Sequence, residues 1–311
     1  MFQLKNEAKI VGELPFYLQL NKKDFEEKIE KLYDILNSCT LCGRRCEVNR
    51  RNKKGICNSG IKIKISSAFP HFGEERPLVG TYGSGTIFLS NCNCKCVYCQ
   101  NFEISHFGEG IEIEEEEVAY KMLYLQGLGC HNINWVSPTH FAPQLIKALF
   151  IAREKGLYIP IVYNTGGYDS PRLIELLSGV IDIYMPDIKY GNNENGYKYS
   201  GVKDYWDLVR ISVKKMHSQV GDLVINSQGI AERGLIIRHL VLPNNIADSE
   251  RVLEFISKEI SKNTFVNIMA QYRPCYRAQE FKELSRGITQ EEYEKVLKKA
   301  KELGLKRAGA H

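Results

Sequence analysis

The chain has 311 residues and a net charge of +5, from 42 Lys and Arg against 37 Asp and Glu. With 43% apolar and 25% charged residues it can build an ordinary globular core, large enough for one α/β barrel or two smaller domains. No apolar run approaches the ~20 residues that span a bilayer, and so small a charge excess is weak for a nucleic-acid binder, so neither membrane nor nucleic acid is an expected partner.

The opening stretch MFQLKNEAKIVGE lacks a basic-then-apolar secretory pattern, which makes a cytoplasmic chain the expectation. In that compartment structural disulfides are not kept, so clustered cysteines read as metal ligands or catalytic groups. Eight of the ten cysteines fall between Cys39 and Cys99; Cys130 and Cys275 stand apart and read as apolar filler. The first set, Cys39, Cys42, Cys46 and Cys57 in CTLCGRRCEVNRRNKKGIC, has C-x2-C-x3-C-x10-C spacing. Four thiols on a glycine-bearing loop can close one zinc site or one complete iron–sulfur cluster, and the spacing leaves both open. Arg44, Arg45, Arg50, Arg51, Lys53 and Lys54 crowd the same loop with Glu47 as the one acid. Without interleaved aromatic residues they read as a solvated basic rim, with a phosphate-gripping knuckle as the alternative.

Residues 1–80 thus read as an N-terminal extension carrying this module, and 81–311 as a second unit of regular alternation. GTIFLS (85–90), INWV (133–136), IPIVYN (159–164), IDIYMPDI (181–188), GLIIRHLVLP (234–243) and TFVNIMAQY (264–272) are strand-like apolar runs. Between and after them, helical patterns span about 114–128, 141–155, 170–177, 205–218, 249–261 and 290–303, with a Gly/Asn-rich loop preceding the fourth. Six βα units with near-continuous apolar strands predict a buried parallel sheet curved into a partial (β/α)6 barrel. The run EEEE at 114–117 reads as a solvated first helical turn that complements the helix dipole.

NCNCKCVYCQN (91–101) follows the first of these strands and places four more thiols where parallel α/β folds put their sites, at the carboxyl end of the sheet. Cys92, Cys96 and Cys99 form C-x3-C-x2-C. Three thiolates can hold three corners of a 4Fe–4S cubane and leave one iron open, whereas a closed zinc site wants four ligands in two separated pairs. At the other strand ends, Asn164-Thr165-Gly166-Gly167 offers an amide and close backbone approach, and Asp187 and Lys189 offer charge. His239 lies inside IIRHLVL, where a histidine is either a satisfied core residue or a site residue. Arg238 must face the other way. His71 and His140 are ambiguous in the same manner.

C-x3-C-x2-C with Tyr98 before the last cysteine resembles the signature of the radical S-adenosylmethionine (SAM) enzymes. GSGTIFLSNCNCKCVYCQNFEISH, HNINWVSPTHFAPQ, PIVYNTGGYDS, IDIYMPDIKYG, YSGVKDY, RGLIIRHLVLP and VNIMAQYRP are similar to the pyruvate formate-lyase activating enzyme-like group, over about residues 38–304. Cys94 departs from that group, which more often has an aliphatic residue there. The resemblance implies a 4Fe–4S cluster on Cys92, Cys96 and Cys99 whose open iron binds SAM, and cleavage of SAM to methionine and a 5′-deoxyadenosyl radical that abstracts a substrate hydrogen. It implies cofactor contacts by Tyr98, by Ser137 or Thr139 in place of a missing Gly-Gly-Glu acid, and by Asn164, Gly166, Asp187, Lys189 and His239. It also implies a flavodoxin- or ferredoxin-type electron donor and, from the group's name, a glycine of a glycyl radical enzyme as hydrogen donor. RNA modification by the same chemistry, and a non-enzymatic iron–sulfur carrier or zinc-stapled binding protein, are the competing readings.

Overall fold

The computed structural model describes residues 14–310; the stretch MFQLKNEAKIVGE lies outside them. In chain order the strands are β1 (Ile63–His71), β2 (Ser84–Leu89), β3 (Ile111–Ile113), β4 (Ile133–Val136), β5 (Ile161–Thr165), β6 (Ile183–Pro186), β7 (Val224–Ile225), β8 (Ala231–Leu240), β9 (Phe265–Met269) and β10 (Arg307–Gly309). The helices are α1 (Phe16–Gln19), α2 (Lys22–Asp34), α3 (Arg76–Val79), α4 (Glu115–Gly127), α5 (Ala142–Glu154), α6 (Pro171–Leu177), α7 (Asn193–Ser200), α8 (Tyr205–Val220), α9 (Ser249–Phe255) and α10 (Gln290–Glu302). No described helix is long and apolar enough to cross a membrane.

The six expected strands are β2, β4, β5, β6, β8 and β9. They pair in that order, all parallel, with β10 continuing the parallel run. Residues Ile161–Thr165 and Ile183–Pro186 are buried throughout, as a parallel sheet covered on both faces requires. The result is the expected partial barrel. At its other edge β1 pairs antiparallel with β2 and β3 antiparallel with β1, so residues 63–71 extend the same sheet.

Helices α4, α5, α6, α8, α9 and α10 form the outer layer, and α2 from the N-terminal segment packs against both α5 and α6. The acidic run is only partly the solvated turn expected of it. Glu114 and Glu117 close a capping box, but Glu115 is largely buried, accepting from the Tyr33 hydroxyl and lying 3.3 Å from Lys147 Nζ. The Gly/Asn-rich stretch holds a helix of its own, α7. The Asn192 side chain caps it by accepting from the Asn195 N–H at 2.8 Å, and Gly201 ends it in the left-handed conformation. Of the two isolated cysteines, Cys130 is buried filler, whereas Cys275 is half-buried on the loop after β9.

Asp182, at the start of β6, ties the N-terminal segment to the sheet. Its two carboxyl oxygens accept from the Phe16 N–H at 2.6 Å and the Ile161 N–H at 2.8 Å. Burial pushes its pKa up to about 7 despite those bonds. The folded state therefore binds a proton that the unfolded chain has released, and the group's contribution is full below the ordinary carboxylate pKa and lost as pH rises through 7. Compared with Asp182→Asn, which cannot ionise, the wild type should lose unfolding free energy between pH 5 and pH 8, by a few kcal/mol at about 1.4 kcal/mol per pKa unit, read as a falling melting temperature. A gap between the two proteins that does not change with pH would show a carboxyl charged throughout.

Candidate active site

The chain leaves β2 through Asn91, whose φ of 70° turns it away from the strand axis, and Lys95, at φ 52°, bends it again so that the thiols gather over the carboxyl end of the sheet. Cys92, Cys94, Cys96 and Cys99 line one cavity of about 150 Å³. Ser137, Asn164, Gly166, Asp187, Lys189 and Arg238 close it from the ends of β4, β5, β6 and β8. A wider cavity of about 380 Å³ adjoins it, sharing Cys96, Cys99, Asn164, Asp187, Lys189 and Arg238 and adding His71, Glu74, Tyr98, Gln100 and Gln271 toward solvent.

Each of the three C-x3-C-x2-C sulfurs receives a hydrogen bond. The Cys94 N–H reaches Cys92 Sγ at 3.3 Å, the Ser200 hydroxyl reaches Cys96 Sγ at 3.0 Å, and the Ser105 hydroxyl reaches Cys99 Sγ at 3.1 Å. A hydrogen bond from the Cys94 thiol, helped by backbone N–H groups and Lys189, holds the Cys92 pKa down at about 6 against burial. Burial pushes Cys96 up and Cys99 up to about 11. Cys94 is driven well upward by its bond to Cys92 and by burial, and its Sγ lies 4.0 Å from the Gly166 carbonyl.

Gly166 and Gly167 are glycines for steric reasons. A Cβ on Gly166 would stand 2.8 Å from Cys94 Sγ, and one on Gly167, where φ is 77°, would stand 2.6 Å from the Asp187 carbonyl oxygen. The Tyr205 hydroxyl holds the two strand ends together, accepting from the Lys189 N–H at 2.8 Å and lying 3.1 Å from the carbonyls of Gly166 and Asp187. Ser137, which lines the cavity, sits in the left-handed region at φ 59°, a conformation that costs a serine of order 1–3 kcal/mol, with its N–H donating to the Asn164 carbonyl at 2.8 Å.

Asp187 is the electrostatic hub. Lys189 Nζ lies 2.6 Å from one carboxylate oxygen and Arg238 Nε 2.7 Å from the other. Burial would raise the Asp187 pKa, but the two cations outweigh it and hold it at about 2. Arg238 also donates to Asn164 Oδ1 at 2.7 Å and pairs with Glu74 at 3.4 Å.

Not every expected contact faces this space. The Thr139 hydroxyl is spent in a buried network, 2.7 Å from Asp169 and 3.2 Å from Thr165. His239 is fully buried and satisfied, its ring nitrogens 2.7 Å from the Ile188 carbonyl and 2.8 Å from the Ser249 hydroxyl, and it lines neither cavity. Strand alternation assigns the cavity face to Arg238, the residue passed over in its favour. Tyr98 lines the outer cavity with its ring edge-on to Tyr190 and Tyr272. His71 lines that cavity too, while His140 is buried with a nitrogen 2.9 Å from the Ser90 carbonyl. Ser105 and Ser200 had no signal in the residue spacing.

Among the described residues no three Cys, His, Asp or Glu side chains are gathered tightly enough for a single ion. Cysteines that each bind a different iron of a cubane stand farther apart than ligands of one ion, and three hydrogen-bonded thiols around a shared cavity with a cationic wall fit such a cluster.

Comparison with known proteins agrees. The description Radical SAM superfamily matches residues 86–256. "Uncharacterized protein MJ0674" of Methanocaldococcus jannaschii is 36% identical over 299 residues, covering 93% of this chain and 81% of that protein. "Uncharacterized protein MJ0808" of the same organism is 23% identical over 275 residues, covering 80% and 74%. Among solved structures, methylornithine synthase (PylB) is 15% identical with a TM-score of 0.47, covering 91% of this chain and 71% of that one. TYW1 with a lysine-pyruvate adduct bound is 14% identical with a TM-score of 0.44, covering 70% and 72%. With the family description spanning more than half of the chain, over the strands and loops that build this cavity, the protein belongs to the radical SAM superfamily.

Proposed function

We propose that this radical SAM enzyme takes a hydrogen atom from a protein substrate, a glycine of a glycyl radical enzyme, as an activase does. The observation that carries the macromolecular reading is the rim of the outer cavity. Phe69 and Phe72 are 41% and 62% exposed beside its lining residues His71 and Gly73, and Phe69 stacks on Phe88 of the cavity wall with ring centroids 5.5 Å apart. Solvent-facing aromatic rings at a site mouth are docking surface that a small substrate does not need.

When bound, the cluster and SAM supply one-electron cleavage of the sulfonium and a carbon radical that abstracts hydrogen. The chain's own part is placement. Cys92, Cys96 and Cys99 would hold the cluster. The backbone carbonyls of Ser137 and Gly166 would accept from the SAM amino group, Lys189 would face its carboxylate, and Asn164 and Asp187 would orient the ribose. Tyr98 and the loop after Cys99 would keep water from the radical. A flavodoxin- or ferredoxin-type donor would deliver the electron. Residues 81–311 would supply the cluster and cofactor contacts, and residues 1–80, whose strand β1 completes the same sheet, would carry a second metal centre, an iron–sulfur cluster or zinc. RNA modification is the less favoured reading, because Arg44 and Arg50 turn inward and leave Arg45, Arg51, Lys53 and Lys54 as the exposed cations of the loop.

Under strict anaerobiosis with a strong reductant, reconstituted protein should convert SAM to 5′-deoxyadenosine and methionine, slowly even without substrate. A glycyl radical signal should appear on a partner protein that captures the enzyme. A fully loaded cluster with no 5′-deoxyadenosine formed would favour the electron-carrier alternative. Cleavage with radical transfer to RNA instead of protein would overturn the activase reading alone.

A further inference from the structure

Cys39, Cys42, Cys46 and Cys57 lie on a loop shaped around their sulfurs. Three are buried and Cys46 is half-buried. Arg45 and Glu47, on either side of Cys46, are both left-handed at φ 40° and 53°, a strain that two charged residues accept only where the surroundings impose it. A Cβ on Gly55 would lie 3.3 Å from both Cys46 Sγ and Cys57 Sγ, so this glycine packs between two of the thiols.

Arg50 supplies the independent observation. It is 1% exposed, and its Nη1 lies 3.6 Å from Cys39 Sγ and 3.8 Å from Cys57 Sγ. Nη2 donates to the carbonyls of Gly60 at 2.8 Å and His140 at 3.1 Å, while Nε is buried with no partner. Among the described residues no carboxylate pairs with it. A guanidinium stays charged at any accessible pH, and a buried charge without a counter-ion costs several kcal/mol. Two carbonyls do not neutralise it. Four thiolates around a metal centre would, because their charges exceed that of the metal core they bind.

We infer that Cys39, Cys42, Cys46 and Cys57 hold a second iron–sulfur cluster, a 4Fe–4S centre with Arg50 as its buried counter-charge. A cluster fits better than zinc because these thiols, like Cys92, Cys96 and Cys99, are not drawn together as ligands of one ion. The centre is also built against the catalytic loop. Arg44 Nε donates to the Asn93 carbonyl at 2.6 Å, Nη2 to those of Cys94 and Ser200 at 3.2 and 3.1 Å, and Nη1 to that of Gly201 at 2.9 Å.

The test uses full-length protein in which Cys92, Cys96 and Cys99 are all changed to Ala, so that its metal content reports the second centre alone. After anaerobic reconstitution this variant should keep about four irons and four sulfides per chain. Adding Cys42→Ser and Cys57→Ser should remove them. Stoichiometric zinc without iron would overturn the cluster assignment, and a triple variant empty of metal would overturn the site. In the same background Arg50→Gln should shift the reduction potential of the remaining centre to more negative values, since the reduced cluster loses a nearby cation, and Arg50→Lys should restore part of the shift. A potential unchanged in Arg50→Gln would overturn the counter-charge role.

Discussion

Cys92→Ala, Cys96→Ala and Cys99→Ala will each leave the protein unable to cleave SAM, while Cys94→Ala will keep both the catalytic cluster and turnover. The four thiols line one cavity, so proximity alone does not separate them. Hydrogen bonding does. Cys96 and Cys99 each have a serine hydroxyl aimed at the sulfur, at 3.0 and 3.1 Å, as second-sphere donors to metal-bound thiolates are placed. Cys92 Sγ accepts from the Cys94 N–H at 3.3 Å, whereas Cys94 Sγ is placed as a donor to the Gly166 carbonyl at 4.0 Å. A metal-bound thiolate only accepts hydrogen bonds, as Cys92 does here and Cys94, placed as a donor, does not. Iron and sulfide content, measured with 5′-deoxyadenosine formation, checks this. Loss of the cluster in Cys94→Ala together with its retention in Cys92→Ala would exchange the two assignments.

The parts of this fold that repeat were legible in the residues. Parallel strands buried on both faces announce themselves as apolar runs, and with them came the strand ends, so Cys92, Cys96, Cys99, Ser137, Asn164, Gly166, Asp187 and Lys189 fell into one cavity. Elements whose reason is tertiary were not legible. Ile63–His71 mixes serines and a proline into its alternation and is a strand because β2 offers it an edge. Asn193–Ser200 reads as a loop because its helix depends on capping by Asn192, and missing it also hid Ser200. Facing was the remaining ambiguity. Arg238 and His239 must point opposite ways, but only the placement of β8 in the sheet decides which one meets the cavity. Arg44 and Arg50 looked solvated among so many charges. Their partners are carbonyls and sulfurs, groups that leave no complementary charge in the surrounding residues.

Removing the charge of Asp187 should be the most damaging single change outside the cysteines, and it should act in two separable ways. The carboxylate lies between Lys189 at 2.6 Å and Arg238 at 2.7 Å, and Arg238 is also offset by Glu74 at 3.4 Å and by the nearby buried Glu75. In Asp187→Asn the shape is kept, but the two largely buried cations lose the carboxylate that lies between them, and Glu74 and Glu75 are left to offset Arg238 alone. Breaking a buried ion pair by removing one partner costs about 3–5 kcal/mol. The melting temperature of the apoprotein should fall accordingly. Lys189→Met leaves Asp187 paired with Arg238, so its stability cost should be smaller, while SAM affinity should fall about ten-fold or more because the carboxylate of the cofactor loses a cation. Arg238→Met should resemble Lys189→Met in stability but also free Asn164, whose amide oxygen it holds at 2.7 Å. Melting curves of the apoprotein, set beside titration of the reconstituted cluster with SAM, separate the two effects. Equal losses of stability in all three variants with unchanged SAM affinity would show that the network only supports the sheet ends and takes no part in holding the cofactor.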